Sequence, residues 1–170
     1  MNFRPLESDE RILILPGAQV LGDVHAGDDT SFWYNCVCRA ERAPIVIGKR
    51  CNVQDNAVIH NRTVLGDDVS VGHGAIVHGA TLGDRVLVGM GAVVFGGARI
   101  GSDCIIGAGA VVTGKMNAPD GSLLLGNPAK VVRPLTEEEK AYILSNGAEY
   151  LEKSAAYRAY LSEQAEEERK

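Results

Sequence analysis

The chain has 170 residues and a mass of 18.1 kDa, enough for one domain with a sizeable core. A net charge of -5, with no basic stripe to offset it, excludes nucleic acid as the main partner. No run approaches the length of a membrane span, and no basic-then-apolar leader opens the chain, so we expect a cytoplasmic protein without a membrane partner.

From residue 14 to residue 112 an apolar residue recurs every six positions, in three blocks. The blocks are Ile14, Val20, Ala26, Phe32, Cys38; then Ile47, Val53, Ile59, Leu65, Val71, Val77; then Leu82, Val88, Val94, Ile100, Ile106, Val112. Every one of these positions is apolar, where a chain that is 45% hydrophobic would fill only about half of them by chance. Four places after each, apart from Cys38 and Val112, stands a small residue, Ala, Val, Thr or Cys, with Thr81 taking that role after Val77. Glycine often follows the lead residue, and the chain carries 20 glycines against only 5% aromatics, which suits narrow, repetitive packing. Neither a helix nor simple strand alternation has a period of six. A coil of three short strands, each turning a corner, does, and such coils stack through backbone hydrogen bonds at about 4.8 Å. Cys36, Cys38, Cys51 and Cys104 all fall on inward or small positions, so we expect core packing; a Cys36-x-Cys38 metal pair is the alternative. The Asn61-Arg62-Thr63 sequon is expected to be idle, and Asp67 and Asp68 to be solvated corner residues without a catalytic role.

After the repeat, Pro119, Pro128 and Pro134 mark a non-repetitive exit. Thr136 with Glu139 forms a capping box, and Ile143, Gly147, Tyr150, Ser154, Tyr157 and Leu161 alternate at helical spacing. Residues 1–134 are therefore expected as an all-β solenoid and residues 135–170 as an α-helix on its flank, within the same domain. Asn146-Gly147 is a candidate interruption of that helix, and the final Glu-Glu-Glu-Arg-Lys is expected to fray.

Three hexapeptides make one coil, and His60 and His78 stand one full coil apart, each directly after an inward residue. They should point outward from one face, one coil above the other, with Arg39 below them once the insertion around Ala40–Pro44 is allowed for. His73 sits on the preceding face, one coil above and one place beyond Gln54, too far to share a metal with the other two. Threefold symmetry would solve this by bringing that face of a neighbouring copy against the His60–His78 face. Three neutral imidazoles leave the fourth tetrahedral position open, the mark of a catalytic rather than a structural metal. His25 is expected to be merely solvated.

The hexapeptides resemble those of left-handed parallel β-helices. Arg39, Asn52-Val53-Gln54-Asp55, His60, Gly72-His73 and Val77-His78-Gly79 together resemble the γ-class carbonic anhydrase family, from Trp33 through the Gly-Asn-Pro-Ala-Lys segment at 126–130. The resemblance implies a homotrimer in which His60, His73 and His78 bind zinc (Fe(II) or Co(II) being possible occupants) across subunit interfaces, His73 coming from the neighbour. It implies reversible hydration of carbon dioxide to bicarbonate by metal-bound hydroxide, with Gln54 orienting the hydroxide and Asn52 positioning nearby. Arg39 would make an interface salt bridge. Its acid here is Glu41, one methylene longer than the family's aspartate, and Arg42 stands where an acid is common. The stretch between His60 and His73 completes two uninterrupted hexapeptides, too short for the long acidic proton-shuttling loop of some members. Acyl transfer from coenzyme A, thioester hydrolysis at the same metal, and a catalytically silent trimeric assembly role are the competing functions on this fold.

Overall fold

The computed structural model describes Leu6 and residues 11–167. The chain winds as a left-handed parallel β-helix with three faces, closed by a hairpin and a single long helix. The first face stacks strands from Leu13–Ile14 through Ser31–Phe32, Asn52–Val53, Ser70–Val71, Val86–Val88 and Cys104–Ile106 to Ser122–Gly126. Two long strands, Gln19–Ala26 and Val37–Ile47, run through both of the other faces. The second face continues with Val58–His60, Ile76–His78, Val93–Val94 and Val111–Val112; the third with Val64–Leu65, Thr81–Leu82, Arg99–Ile100 and Asn117–Ala118.

The six-residue period follows from this cross-section, because each lead residue points inward from one face. All the lead residues are buried except Ile14 and Ala26, which are partly exposed and belong to the first coil. The excess around 40–44 is a bulge: Gly22 pairs with Ala40, yet Val24 pairs with Ile45. A second irregularity corrects the reading of Thr81. Pairs Val64↔Thr81, Ile76↔Val93 and Ser70↔Leu87 each fall one place short of three hexapeptides, so one coil lacks a residue. Thr81 is therefore exposed and Ala80, 1% exposed, fills the inward small position.

The coils approach closely. A Cβ on Gly66 would stand 2.7 Å from the Gly83 carbonyl carbon and 2.8 Å from the Asp84 nitrogen. Asp67 and Asp68 do more than meet solvent. Asp67 accepts the Lys49 backbone N–H at 2.9 Å, and Asp68 takes both ends of the Arg50 guanidinium at 2.7 Å. Arg85 and Asp103 repeat the second pairing at 2.6 and 2.9 Å, on left-handed corner residues of consecutive coils. These corners are rungs that hold the stack in register.

At the C-terminal end, Ser122–Gly126 pairs antiparallel with Ala129–Pro134 around a cis Asn127-Pro128 peptide. The capping box then forms as expected. Glu139 accepts the Thr136 N–H at 2.9 Å while Thr136 Oγ1 accepts the Glu139 N–H at 3.2 Å. The Arg133 guanidinium on Glu139 holds its carboxyl down at about 2. Helix α1, Glu137–Glu167, follows without a break at Asn146-Gly147. Ile143 and Tyr150 anchor it on either side of that pair, against Leu123 and Leu135 and against Trp33 respectively. Tertiary packing thus overrides the low helix propensity of Asn-Gly. Of the terminal segment, Glu166 and Glu167 are helical; residues 168–170 lie outside the described residues. Replacing the cap by Thr136→Ala should cost about 1 kcal/mol. Thermal unfolding should report it as a drop of a few degrees, and an unchanged midpoint would show that the cap is dispensable here.

Helix α1 packs over the first face, through Tyr150 against Trp33 and Ile143 against Leu123. His73 stands on the corner at the margin of that face and stays exposed.

Candidate metal centre

The predicted ladder is present. Arg39 pairs with His60, and His60 with His78, on adjacent strands of the second face. The two imidazole centroids are 5.0 Å apart. Around His60 Nε2 gather Asn61 Nδ2 at 3.2 Å, Glu41 Oε2 at 3.4 Å and Arg39 at 3.5 Å. Arg39 holds Glu41 at 3.3 Å within the same chain, so the longer acid still reaches the guanidinium. Asn61 also has a structural part. Its Oδ1 accepts the backbone N–H groups of Glu41 and Arg42, at 2.9 and 3.1 Å, and so fastens the 40–44 bulge beside the histidines.

A second cluster forms at the corner between the first and second faces. His73 Nδ1 lies 2.8 Å from Asp55 Oδ2, and its Nε2 lies 3.3 Å from the Tyr150 hydroxyl on α1. Burial pushes that hydroxyl up to about 12, so it stays a protonated phenol at neutral pH. Gln54 Oε1 accepts the His73 backbone N–H at 3.1 Å while its Nε2 donates to Asn52 Oδ1 at 3.0 Å. Asn52 in turn donates to Ser70 at 2.8 Å, under the helix. The side chains of Asn52 and Gln54 are buried and committed to these bonds, whereas His73 is exposed. A cavity of about 280 Å³ opens there between Trp33, Asp55, His73, Tyr150 and Lys153.

One chain therefore carries two separate clusters: Arg39, Glu41, His60 and His78 in one, Asn52, Gln54 and His73 in the other. Among the described residues no three His, Cys, Asp or Glu side chains of a single chain converge where a metal could be held. The cysteines stand where core packing places them. All four are buried in the core of the solenoid, and burial pushes Cys36 and Cys51 up to about 12. His25 is exposed and sits on Asp23 at 2.8 Å. Sequence reasoning missed three contributors. Asp55 was discoverable, standing one full coil below His73. Asn61 and Tyr150 gave no sign of these contacts, because one depends on the bulge and the other on where α1 docks.

The face bearing the ladder is partly apolar. Beside it runs a second outward row of Val37, Val58, Ile76, Val93 and Val111, paired strand to strand, with Ile76 38% exposed. Phe95, 50% exposed, follows one coil above His78.

Comparison with known proteins supplies an independent view. Residues 79–114 match the family described as bacterial transferase hexapeptide (six repeats). A carbonic anhydrase of Geobacillus kaustophilus is 42% identical over 144 residues, covering 82% of this chain and 79% of that protein. The mitochondrial gamma carbonic anhydrase 1 of Arabidopsis thaliana is 35% identical over 161 residues, 89% of this chain; the chain spans only 58% of that relative's length. Among solved structures, a hexapeptide transferase family protein from Anaplasma phagocytophilum superposes with a TM-score of 0.84 at 36% identity, covering 88% of this chain and 90% of the other.

Proposed function

Since this chain belongs to the γ-class carbonic anhydrase-like family of hexapeptide-repeat proteins, we propose that it is a zinc-dependent, homotrimeric enzyme that interconverts carbon dioxide and bicarbonate. The observation that carries this reading is the split site. Two imidazoles on adjacent strands, with ring centres 5.0 Å apart, stand on a partly apolar face, and a third stands on an exposed corner of the same molecule.

The donor set fits zinc. His60 and His78 from one subunit and His73 from the next would hold the ion, three neutral nitrogens with one position left open. Asp55 on His73 Nδ1 fits as well, because it leaves Nε2 for the metal and orients the ring, as carboxylates behind zinc histidines commonly do. Bound zinc supplies Lewis acidity that brings the pKa of a water near neutrality. The chain's own groups do the rest. Gln54, fixed at both ends of its amide, keeps one N–H and one lone pair free of the bonds described and can hold a reacting water in one orientation. Asn52 keeps Gln54 from rotating. Arg39 and Glu41, as an ion pair, hold the base of the ladder. Tyr150 must yield Nε2 of His73 when the ion binds. Among the described residues no helix is long and apolar enough to cross a membrane, and a cytoplasmic location belongs to this proposal.

Acyl transfer is the second reading, favoured by the likeness to a hexapeptide transferase. Metal analysis with a carbon dioxide hydration assay separates the two. We expect about one metal per chain, three neutral ligands serving one ion. Hydration should vanish on chelation and return on adding zinc. A metal-free protein that transfers acyl groups regardless of chelator would overturn the proposal.

A further inference from the structure

We propose that the cavity beside His78 is an oxyanion subsite, with Arg42 and Arg62 as its cationic walls. The cavity, about 330 Å³, lies between the 40–44 bulge and the corner at residues 61–62, with Gly79, Gly96 and Gly97 as its floor. Both arginines are exposed, and among the described residues neither forms an ion pair. In this they differ from Arg39, Arg50, Arg85 and Arg133, each of which holds a carboxylate. The carboxylate nearest His60 is Glu41, and Arg39 already engages it. The pocket beside the candidate metal centre therefore has surplus positive charge and no internal counterion. A guanidinium matches a carboxylate, bicarbonate or phosphate through two parallel hydrogen bonds.

The walls are set in advance. Asn61 pins the backbone of Arg42 through its Oδ1. Asn61 and Arg62 themselves are left-handed, with φ of 30° and 47°, a conformation that costs a non-glycine residue energy and persists only where neighbours enforce it. Thr63 enforces it here, donating to the His60 carbonyl at 3.0 Å and accepting the Gly79 N–H at 3.0 Å. The floor is bare backbone. A Cβ on Gly96 would stand 3.6 Å from His78 Nδ1, so any side chain there would fill the space beside the imidazole. The result is an open pocket, lined by two unpaired guanidinium groups and held by fixed backbone, that adjoins a candidate metal ligand.

On the carbonic anhydrase reading, on which this choice of ligand rests, the natural anion is bicarbonate. The binding itself needs no turnover and can be tested without it. The full-length protein as purified would be titrated with bicarbonate and, separately, with inorganic phosphate. The side-chain Nε–H NMR signals of Arg42 and Arg62 would be followed, assigned from Arg42→Gln and Arg62→Gln. We expect saturable shifts of both signals, and an affinity about tenfold weaker in the double variant, as loss of charge-assisted hydrogen bonds implies. Metal content should stay at the wild-type level. Tighter binding of bicarbonate supports the reaction's own anion as the occupant; tighter binding of phosphate supports a phosphate-bearing substrate in the same subsite. Unmoved arginine signals with both anions, or undiminished affinity in the double variant, would overturn the proposal. A protein that proves metal-free but still shows the shifts would sink the carbonic anhydrase reading and leave the subsite standing.

Discussion

His78→Ala is expected to lose its metal and its carbon dioxide hydration together while keeping its fold. His78 is exposed on the second face, so trimming it opens no core cavity. The backbone bonds of its coil, such as the Gly79 N–H to the His60 carbonyl at 3.1 Å, do not involve the imidazole. Removing even an outer partner of a metal ligand commonly weakens binding by about 10–100-fold. Deleting one of three ligands should therefore cost at least about a hundredfold in affinity, enough to empty the site during purification. Metal analysis, hydration rate and circular dichroism on one preparation check the three parts. His25→Ala is the control, since His25 is an exposed histidine on the third face, paired with Asp23 at 2.8 Å and away from the His60–His78 ladder. Full metal content in His78→Ala would show that His78 is not a ligand.

The sequence carried the fold in unusual detail because a solenoid writes its geometry into the chain at short range. A residue's face and coil follow from its number, so the stacking of Arg39, His60 and His78 follows by counting. What failed was whatever depended on a break in the period or on a partner far away in sequence. Thr81 reads as inward because a coil that lacks one residue looks, locally, like a full one. Asp67 and Asp68 look solvated because their partners, Lys49 and Arg50, stand a full coil away and carry charges that are ordinary on any surface. Tyr150 was legible as part of an apolar helical stripe. That its hydroxyl would meet His73, 77 residues earlier, depends on the depth at which α1 lies over the first face.

The helix also decides what the assembly can look like, and that yields the sharpest test of the inter-subunit site. With the first face covered, the row of Val37, Val58, Ile76, Val93 and Val111 is the apolar strip nearest the histidine ladder that is free to receive a neighbour. Ile76→Asp is expected to separate the subunits and, with them, the metal, although His60, His73 and His78 are all still present. In a lone chain the change is mild, because Ile76 is already 38% exposed. Across an interface it would bury an unpaired carboxylate, which costs about 3–5 kcal/mol at each of the three equivalent contacts. Sedimentation should then report a monomer, and metal analysis a nearly empty protein, since two imidazoles of one chain are left without the third. Val64→Asp provides the contrast: Val64 is 39% exposed on the third face, where the same charge should leave both assembly and metal intact. A trimer that survives Ile76→Asp with its metal would mean that the second face is not where subunits meet.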